Sequence, residues 1–276
     1  MGRLIISSVA MLMSVDTQRL SGQKNGVSID IVDGYLRYHD NAEVTLARLN
    51  VHIPAKAWTC ILGRSGCGKS SLLRYLANLL EESVDWAGEV NIHPPCESKE
   101  QITYMAQQDL LMPWLSALDN VMLSTKFGAA HSSAKKNHLM CDKAHFLLQK
   151  VGLKDKANCM PQQLSGGMRQ RVALARTLMQ DKPIILMDEP FSALDAVTRY
   201  RLQNLAYQLL QDKTVVLITH DPQEAIRLAH QLYIMQGRPA FAESLMVPKS
   251  VTPRNFDTEF AELQQIIMER LEQDYE

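Results

Sequence analysis

Eight consecutive residues, Gly63-Arg64-Ser65-Gly66-Cys67-Gly68-Lys69-Ser70, constrain this chain more than any other stretch. They follow a short apolar run, Trp58-Thr59-Cys60-Ile61-Leu62, and precede a helical pattern, Ser71-Leu72-Leu73-Arg74-Tyr75-Leu76-Ala77. Strand, glycine-rich loop and helix in that order are what a phosphate-binding loop requires. The glycines let the backbone curl until successive N–H groups point at an anion, and the helix N-terminus behind them adds partial positive charge. Lys69 can reach β- and γ-phosphates, and the Ser70 hydroxyl can hold Mg2+. The stretch therefore predicts a nucleoside-triphosphate site on an α/β core.

Downstream segments supply the rest of such a site. Pro183-Ile184-Ile185-Leu186-Met187 is a continuous apolar run, as a parallel strand buried on both faces requires, and it ends in Asp188-Glu189-Pro190. Carboxylates at the C-terminal edge of such a strand face the ligand crevice of an α/β sheet. Asp188 is then placed for the Mg2+ shell, and Glu189 for polarising an attacking water. Ser192-Ala193-Leu194-Asp195 opens a helix running to about Gln211. Val215-Val216-Leu217-Ile218-Thr219 is a second buried strand and leads to His220 at the same sheet edge, where a γ-phosphate contact is expected. Leu232 to Met235 completes the sheet and Gly237 closes it.

A second anion site is expected at Leu164-Ser165-Gly166-Gly167, where Ser165 stands at an N-cap and two glycines leave the first helical N–H groups uncovered. A merely well-capped helix is the alternative. Met168, Val172, Ala175 and Met179 recur at helical spacing behind it.

Residues 1–26 carry little periodicity and end in a linker-like Ser21-Gly22-Gln23-Lys24-Asn25-Gly26, so they read as a disordered extension. Leu4 to Met13 only faintly imitates a signal peptide, and a start at Met11 or Met13 would remove most of it. From Val27 to Val51 short alternations predict antiparallel strands, with Gly34 and Asp40-Asn41 as turns. Tyr38 on this hairpin can stack on an adenine ring, with Tyr35 competing, or be a half-buried strand tyrosine. The stretch Ala106-Gln107-Gln108-Asp109-Leu110-Leu111-Met112-Pro113-Trp114-Leu115 is either an exposed docking surface or a buried loop. Residues 116–152 read as helices forming an inserted subdomain, with His131 to His138 as solvated surface. A tail from Arg238 ends in a helix over Asp257 to Gln273.

Composition narrows the class. With 46% apolar and 21% charged residues over 276 positions, the chain can bury a full core. A net charge of −1 offers no footprint for nucleic acid. Five cysteines, at 60, 67, 96, 141 and 159, form an odd, scattered set, which predicts reduced thiols rather than a disulfide framework or zinc site. Cys67 sits near a helix N-terminus, a setting that lowers a thiol pKa, so a reactive thiol protected by bound nucleotide is expected.

Taken together, the motifs resemble the ATP-binding subunit of ABC transporters over about residues 27–240. The resemblance rests on the phosphate loop Gly63–Ser70, Gln107, the signature Leu164–Arg171, the strand Ile184–Asp188 with Glu189, the turn Ser192–Asp195, and His220. It implies a P-loop NTPase core with a mixed sheet, an antiparallel β subdomain and a helical subdomain over about residues 107–165; residues 241–276 lie beyond it as a tail with a helix. It implies ATP and Mg2+ as ligands. Nucleotide would be held by Tyr38, Gly63, Arg64, Ser65, Gly66, Cys67, Gly68, Lys69, Ser70 and Ser71, with Ser165, Gly166 and Gly167 closing over the ATP of a second copy. Mg2+ would be held by Ser70, Asp188 and Gln107; Glu189 would be the general base, His220 the γ-phosphate sensor, and Lys69 and Gln107 would assist. The implied protein is an ATP hydrolase at the cytoplasmic face of the plasma membrane. Its implied partners are a homodimer mate, transmembrane permease subunits and, indirectly, a periplasmic or lipoprotein solute-binding protein. Ser71 departs from the family's frequent threonine, harmlessly if Ser70 is the Mg2+ ligand. Within the family, Leu111 to Leu115 followed by Asp119-Asn120-Val121, and Asp188 to Asp195, look like the nitrate, sulfonate and taurine importer branch. Tyr104-Met105-Ala106-Gln107-Gln108-Asp109 and Met168-Arg169-Gln170-Arg171 look like the subunit powering uptake of hydroxymethylpyrimidine, a thiamine precursor. Exporter subunits and soluble ATPases acting on DNA or ribosomes are the rival readings.

Overall fold

The computed structural model describes residues 26–95, 101–126 and 134–274. The extension expected at residues 1–26, apart from Gly26, lies outside the described residues, as do Cys96 and His131.

The phosphate-loop strand does what its apolar run predicts. β3 (Trp58–Gly63) is buried along its whole length, at the centre of a six-stranded sheet. The others are β5 (Ile102–Met105), β6 (Ile184–Asp188), β7 (Thr214–Ile218), β8 (Gln231–Gln236) and β9 (Phe241–Leu245). Their order is β5-β6-β7-β3-β8-β9, parallel except for the β8–β9 pair. β6 and β7 are fully buried as well, as expected of parallel strands covered on both faces. β9 extends the sheet beyond Gly237, where the sequence pattern ends it. Its burial is mixed, and its partner β8 supplies the apolar face.

A separate antiparallel sheet, β2-β1-β4, comprises β1 (Ser28–Tyr38), β2 (Val44–Ile53) and β4 (Val84–His93). Gly34 is not a turn here. β1 runs straight through it, and the pairing with both neighbours shifts register there, so the glycine marks a bulge rather than a chain reversal. Backbone bonds between Ala240 and residues 45 and 47 tie this sheet to the main one.

The helices are α1 (Lys69–Leu76), α2 (Ala117–Val121), α3 (Leu123–Lys126), α4 (Ala134–Lys150), α5 (Gly166–Met179), α6 (Ala196–Leu209), α7 (Pro222–Leu228) and α8 (Thr258–Gln273). Ser116, Ser165, Asp195, Asp221 and Asp257 each cap a following helix through a side-chain oxygen, so local sequence sets these starts. α8 is part of the body of the protein: Phe260, Leu263 and Ile267 are buried in the same core as the central strands.

This topology has one consequence for chemistry. The phosphate loop follows β3, Gln107 follows β5, Asp188 ends β6 and His220 follows β7. All four leave the C-terminal edges of neighbouring parallel strands, where α/β sheets bind ligands.

Candidate functional site

The phosphate loop is built tightly. Gly68 holds the N-cap of α1 at φ 104°, and a Cβ there would come within 2.7 Å of the Leu46 side chain. A larger residue is excluded both by conformation and by space. Lys69 is 5% exposed. Its Nζ donates to the carbonyl oxygens of Gly63 at 2.8 Å and Arg64 at 2.7 Å, so the ammonium is held inside the loop's curl. Replacing Lys69 by Ala removes this charge. ATP binding is expected to weaken by roughly 1.5–3 kcal/mol, about 10- to 150-fold in Kd. A titration with a fluorescent ATP analogue measures it, and a Kd within threefold of wild type would show that the ammonium does not meet the phosphates.

Cys67 does not have the character its position suggests. It is 5% exposed, and burial pushes its thiol above the ordinary range, outweighing the nearby Lys69. The basis for a reactive thiolate is therefore absent, because desolvation beats the helix-terminus effect. Ser65 is exposed. Arg64 turns its guanidinium to Asp274.

Tyr38 donates to Ser71 Oγ at 2.9 Å, bringing the tyrosine beside the start of α1. Tyr35 lies on the opposite face of β1 from Leu36, which is fully buried, and Tyr38 shares the Leu36 face.

Asp188 is 1% exposed, and burial raises its carboxyl above the usual carboxylate range. Hydrogen bonds from Ser70 and Tyr104 oppose that shift; the Tyr104 hydroxyl sits 3.3 Å from Oδ2. A desolvated carboxylate beside a hydroxyl at the mouth of a phosphate loop is a hard-oxygen donor set that fits Mg2+. That cation needs only one or two protein ligands beside phosphates and water. Ser70 and Asp188 would hold it.

Glu189 is the next residue, and its φ of 48° lies in the left-handed region. For a non-glycine residue this costs on the order of 1–3 kcal/mol and marks functional sites. Its N–H bonds Ile218 O across the sheet, which fixes the strained turn. Its Oε2 lies 3.0 Å from His220 Nδ1 and accepts from Gln107 Nε2 at 3.3 Å. Three predicted residues from three strand ends thus meet at one oxygen. Gln107 is joined to Glu189 here, and no bond links it to the Ser70–Asp188 pair.

Ser165 accepts from Met168 N–H at 3.3 Å and is exposed with Gly166. A Cβ on Gly167 would lie 3.2 Å from Ala193 O, so the start of α5 abuts the Ser192–Asp195 turn. Among the described residues, no hydrogen bond or ion pair joins Ser165–Gly167 to Gly63–Ser70. The uncovered helix start at Ser165–Gly167 therefore stands apart from the phosphate loop within one chain.

Several contacts around the site escape sequence reasoning. Arg169 Nε meets Asp109 Oδ2 at 2.9 Å, and Arg176 donates to the carbonyls of Asp109 and Leu110 at 2.6 and 2.8 Å. Helix α5 thereby grips the stretch after Gln107; the seven-residue spacing of the two arginines on one helical face was the available signal. That stretch divides, with Leu111 buried but Leu110 56% and Trp114 70% exposed. Glu224 lines a cavity of about 20 Å3 together with Glu189 and His220. A larger cavity, about 490 Å3, lies between α1 and β4 and borders none of the residues named so far in this site. The chemistry-bearing side chains mark the site, not that space. No helix among the described residues is long and apolar enough to cross a membrane.

Comparison with known proteins agrees with this geometry. Residues 46–192 match the family model described as ABC transporter. An ABC transporter ATP-binding protein of Haemophilus influenzae, named as uncharacterised, is 42% identical over 218 residues, covering 78% of this chain and 86% of that protein. An aliphatic sulfonates import ATP-binding protein, SsuB, of Escherichia coli K12 is 38% identical over 241 residues, covering 85% and 88%. The dimeric post-hydrolysis structure of the ATP-binding cassette MJ0796, bound to ADP and Pi, superposes with a TM-score of 0.64. Its identity is 28%, over 83% of this chain and 100% of that one.

Proposed function

Because this chain belongs to the ABC transporter family, whose cassettes are ATP hydrolases, we propose that it is the ATPase subunit of an importer for a small polar solute. The observation that carries the reading is the meeting of Gln107, Glu189 and His220 at one carboxylate oxygen, beside the phosphate loop and the Ser70–Asp188 pair. Lys69 and the loop amides hold the phosphates. Tyr38 stacks on the adenine from its place beside α1. Glu189 takes a proton from water as the water oxygen attacks the γ-phosphorus and the bond to the β-phosphate oxygen breaks. His220 orients Glu189 and meets the γ-phosphate. Ser70 and Asp188, with Gln107 as a further ligand, would hold Mg2+, which would supply charge stabilisation for the transferred phosphoryl group.

One chain has two separate anion-binding helix ends, and a head-to-tail pair of chains would join each Gly63–Ser70 loop to a Ser165–Gly167 start. The dimeric MJ0796 cassette supports that assembly. Exposed Leu110 and Trp114 form the surface that docks a permease subunit, which in turn meets a solute-binding protein. The chain would lie on the cytoplasmic face of the plasma membrane as a peripheral subunit.

Two cargoes have support. The Tyr104 to Asp109 and Met168 to Arg171 stretches favour hydroxymethylpyrimidine, and the sulfonate-importer relatives favour an aliphatic sulfonate. Deleting the gene and measuring uptake of each labelled solute tests the reading. Loss of one uptake names the cargo; unchanged uptake of both removes both assignments.

A further inference from the structure

Arg64 is the second residue of the phosphate loop, and its side chain is gripped from far along the chain. Its Nε lies 3.1 Å from Asp274 Oδ2, and Nη1 donates to the Asp274 carbonyl at 2.9 Å. The other carboxylate oxygen, Oδ1, accepts from Gly237 N–H at 2.6 Å. The two side chains are only 12% and 9% exposed, so solvent screens this pair far less than a surface ion pair.

Asp274 thereby joins three elements. Arg64 belongs to the loop. Gly237 follows β8, whose Met235 pairs with Gly63 at the loop's start. Asp274 itself follows α8, which is seated firmly. Asp257 caps its first turn, Phe260 and Ile267 are buried, and Arg270 meets Glu243 of β9 at 2.6 Å. The grip reaches the chemistry, because the Arg64 carbonyl is one of the two that hold Lys69 Nζ.

We propose that Asp274 is a positioning residue for the nucleotide site: by clasping Arg64 it holds the phosphate loop in its curled form, and nucleotide binding in turn firms the end of α8. Coupling between two sites is reciprocal, so whatever α8 gives the loop, ATP returns to α8. The inference rests on Gly63–Ser70 being the phosphate-binding loop.

The test compares wild type with Asp274→Ala, Asp274→Asn and Asp274→Glu, measuring ATP affinity by titration and thermal melting on each. Amide hydrogen exchange over residues 270–274 is followed with and without ATP. Asn keeps an acceptor for Gly237 but removes the charge facing Arg64, whereas Glu restores the charge. The Ala and Asn variants are expected to bind ATP about 5- to 30-fold more weakly, with Glu recovering part of the loss. ATP is expected to slow exchange over 270–274 in wild type and not in Asp274→Ala. A merely structural role would lower melting and leave both readouts unmoved. Affinity within twofold of wild type in the Asn variant, or no effect of ATP on wild-type exchange, overturns the proposal. Should Asp274→Ala fail to fold, those two measurements still decide it. Wild type that fails to bind ATP at all would overturn the loop assignment instead.

Discussion

Replacing Glu189 by Gln is expected to slow ATP hydrolysis by at least about 100-fold while leaving ATP binding intact. The side chain is half-buried and tied to two partners, so the isosteric amide keeps its place. What it loses is the ability to accept a proton from the attacking water. General-base catalysis contributes about 10²–10⁴-fold in typical enzymes, and that is the loss to read in kcat. Because bound ATP is no longer consumed, the variant is also expected to accumulate as an ATP-bound dimer on size-exclusion chromatography. The measurement pairs a phosphate-release assay with an ATP titration. Hydrolysis at the wild-type rate would mean that another group takes the proton.

Replacing Glu224 by Gln is expected to remove a pH dependence of folding stability amounting to about 3 kcal/mol. Glu224 is 5% exposed, and burial raises its carboxyl to about 7. Asp221 pushes in the same direction, while hydrogen bonds from Thr219 and Gln203 and the charge of Arg199 oppose it. Gln203 Nε2 donates at 2.9 Å, and Arg227 in turn donates to Gln203 Oε1 at 2.7 Å. The folded pKa lies above that of the unfolded chain. Below about pH 4.5 both states hold the proton and the favourable contribution is complete. Between about 4.5 and 7 the unfolded chain ionises first, so stability falls as pH rises, and it levels off above the folded pKa. Urea melts at intervals from pH 5 to 8 should show the Gln variant gaining on wild type through that window. Parallel stability curves would mean that Glu224 is ionised in the folded protein too. The network joins the helix after the Ser192–Asp195 turn to the helix after His220, so the same substitution also reports how firmly those two parts are held together.

The features legible without coordinates were those written in short range. The phosphate loop, the apolar strands behind Asp188 and His220, and the helix starts at Ser165 and Asp195 are each decided within about ten residues, where backbone preference, capping and two-sided burial act locally. Less legible was the fate of a residue whose role depends on a distant neighbour. Gly34 became a bulge because β1 pairs on both sides, which a turn signal in isolation does not convey. Cys67, expected to have a lowered thiol pKa, has a raised one instead because the fold closes around it.

What the sequence determined by itself was which chemical groups are present: a glycine-rich phosphate loop, two adjacent carboxylates at a strand end, a histidine and a second uncovered helix end, in a fixed order along the chain. What only the tertiary structure decided was which of these act together. Parallel strand order brought Gln107, Glu189 and His220 to one oxygen from positions 107 to 220, and the packing of α8 carried Asp274 back to Arg64 across 210 residues. The physical reason is that local propensity falls off within a helical turn or two, whereas buried polar side chains take partners set by how whole strands and helices pack.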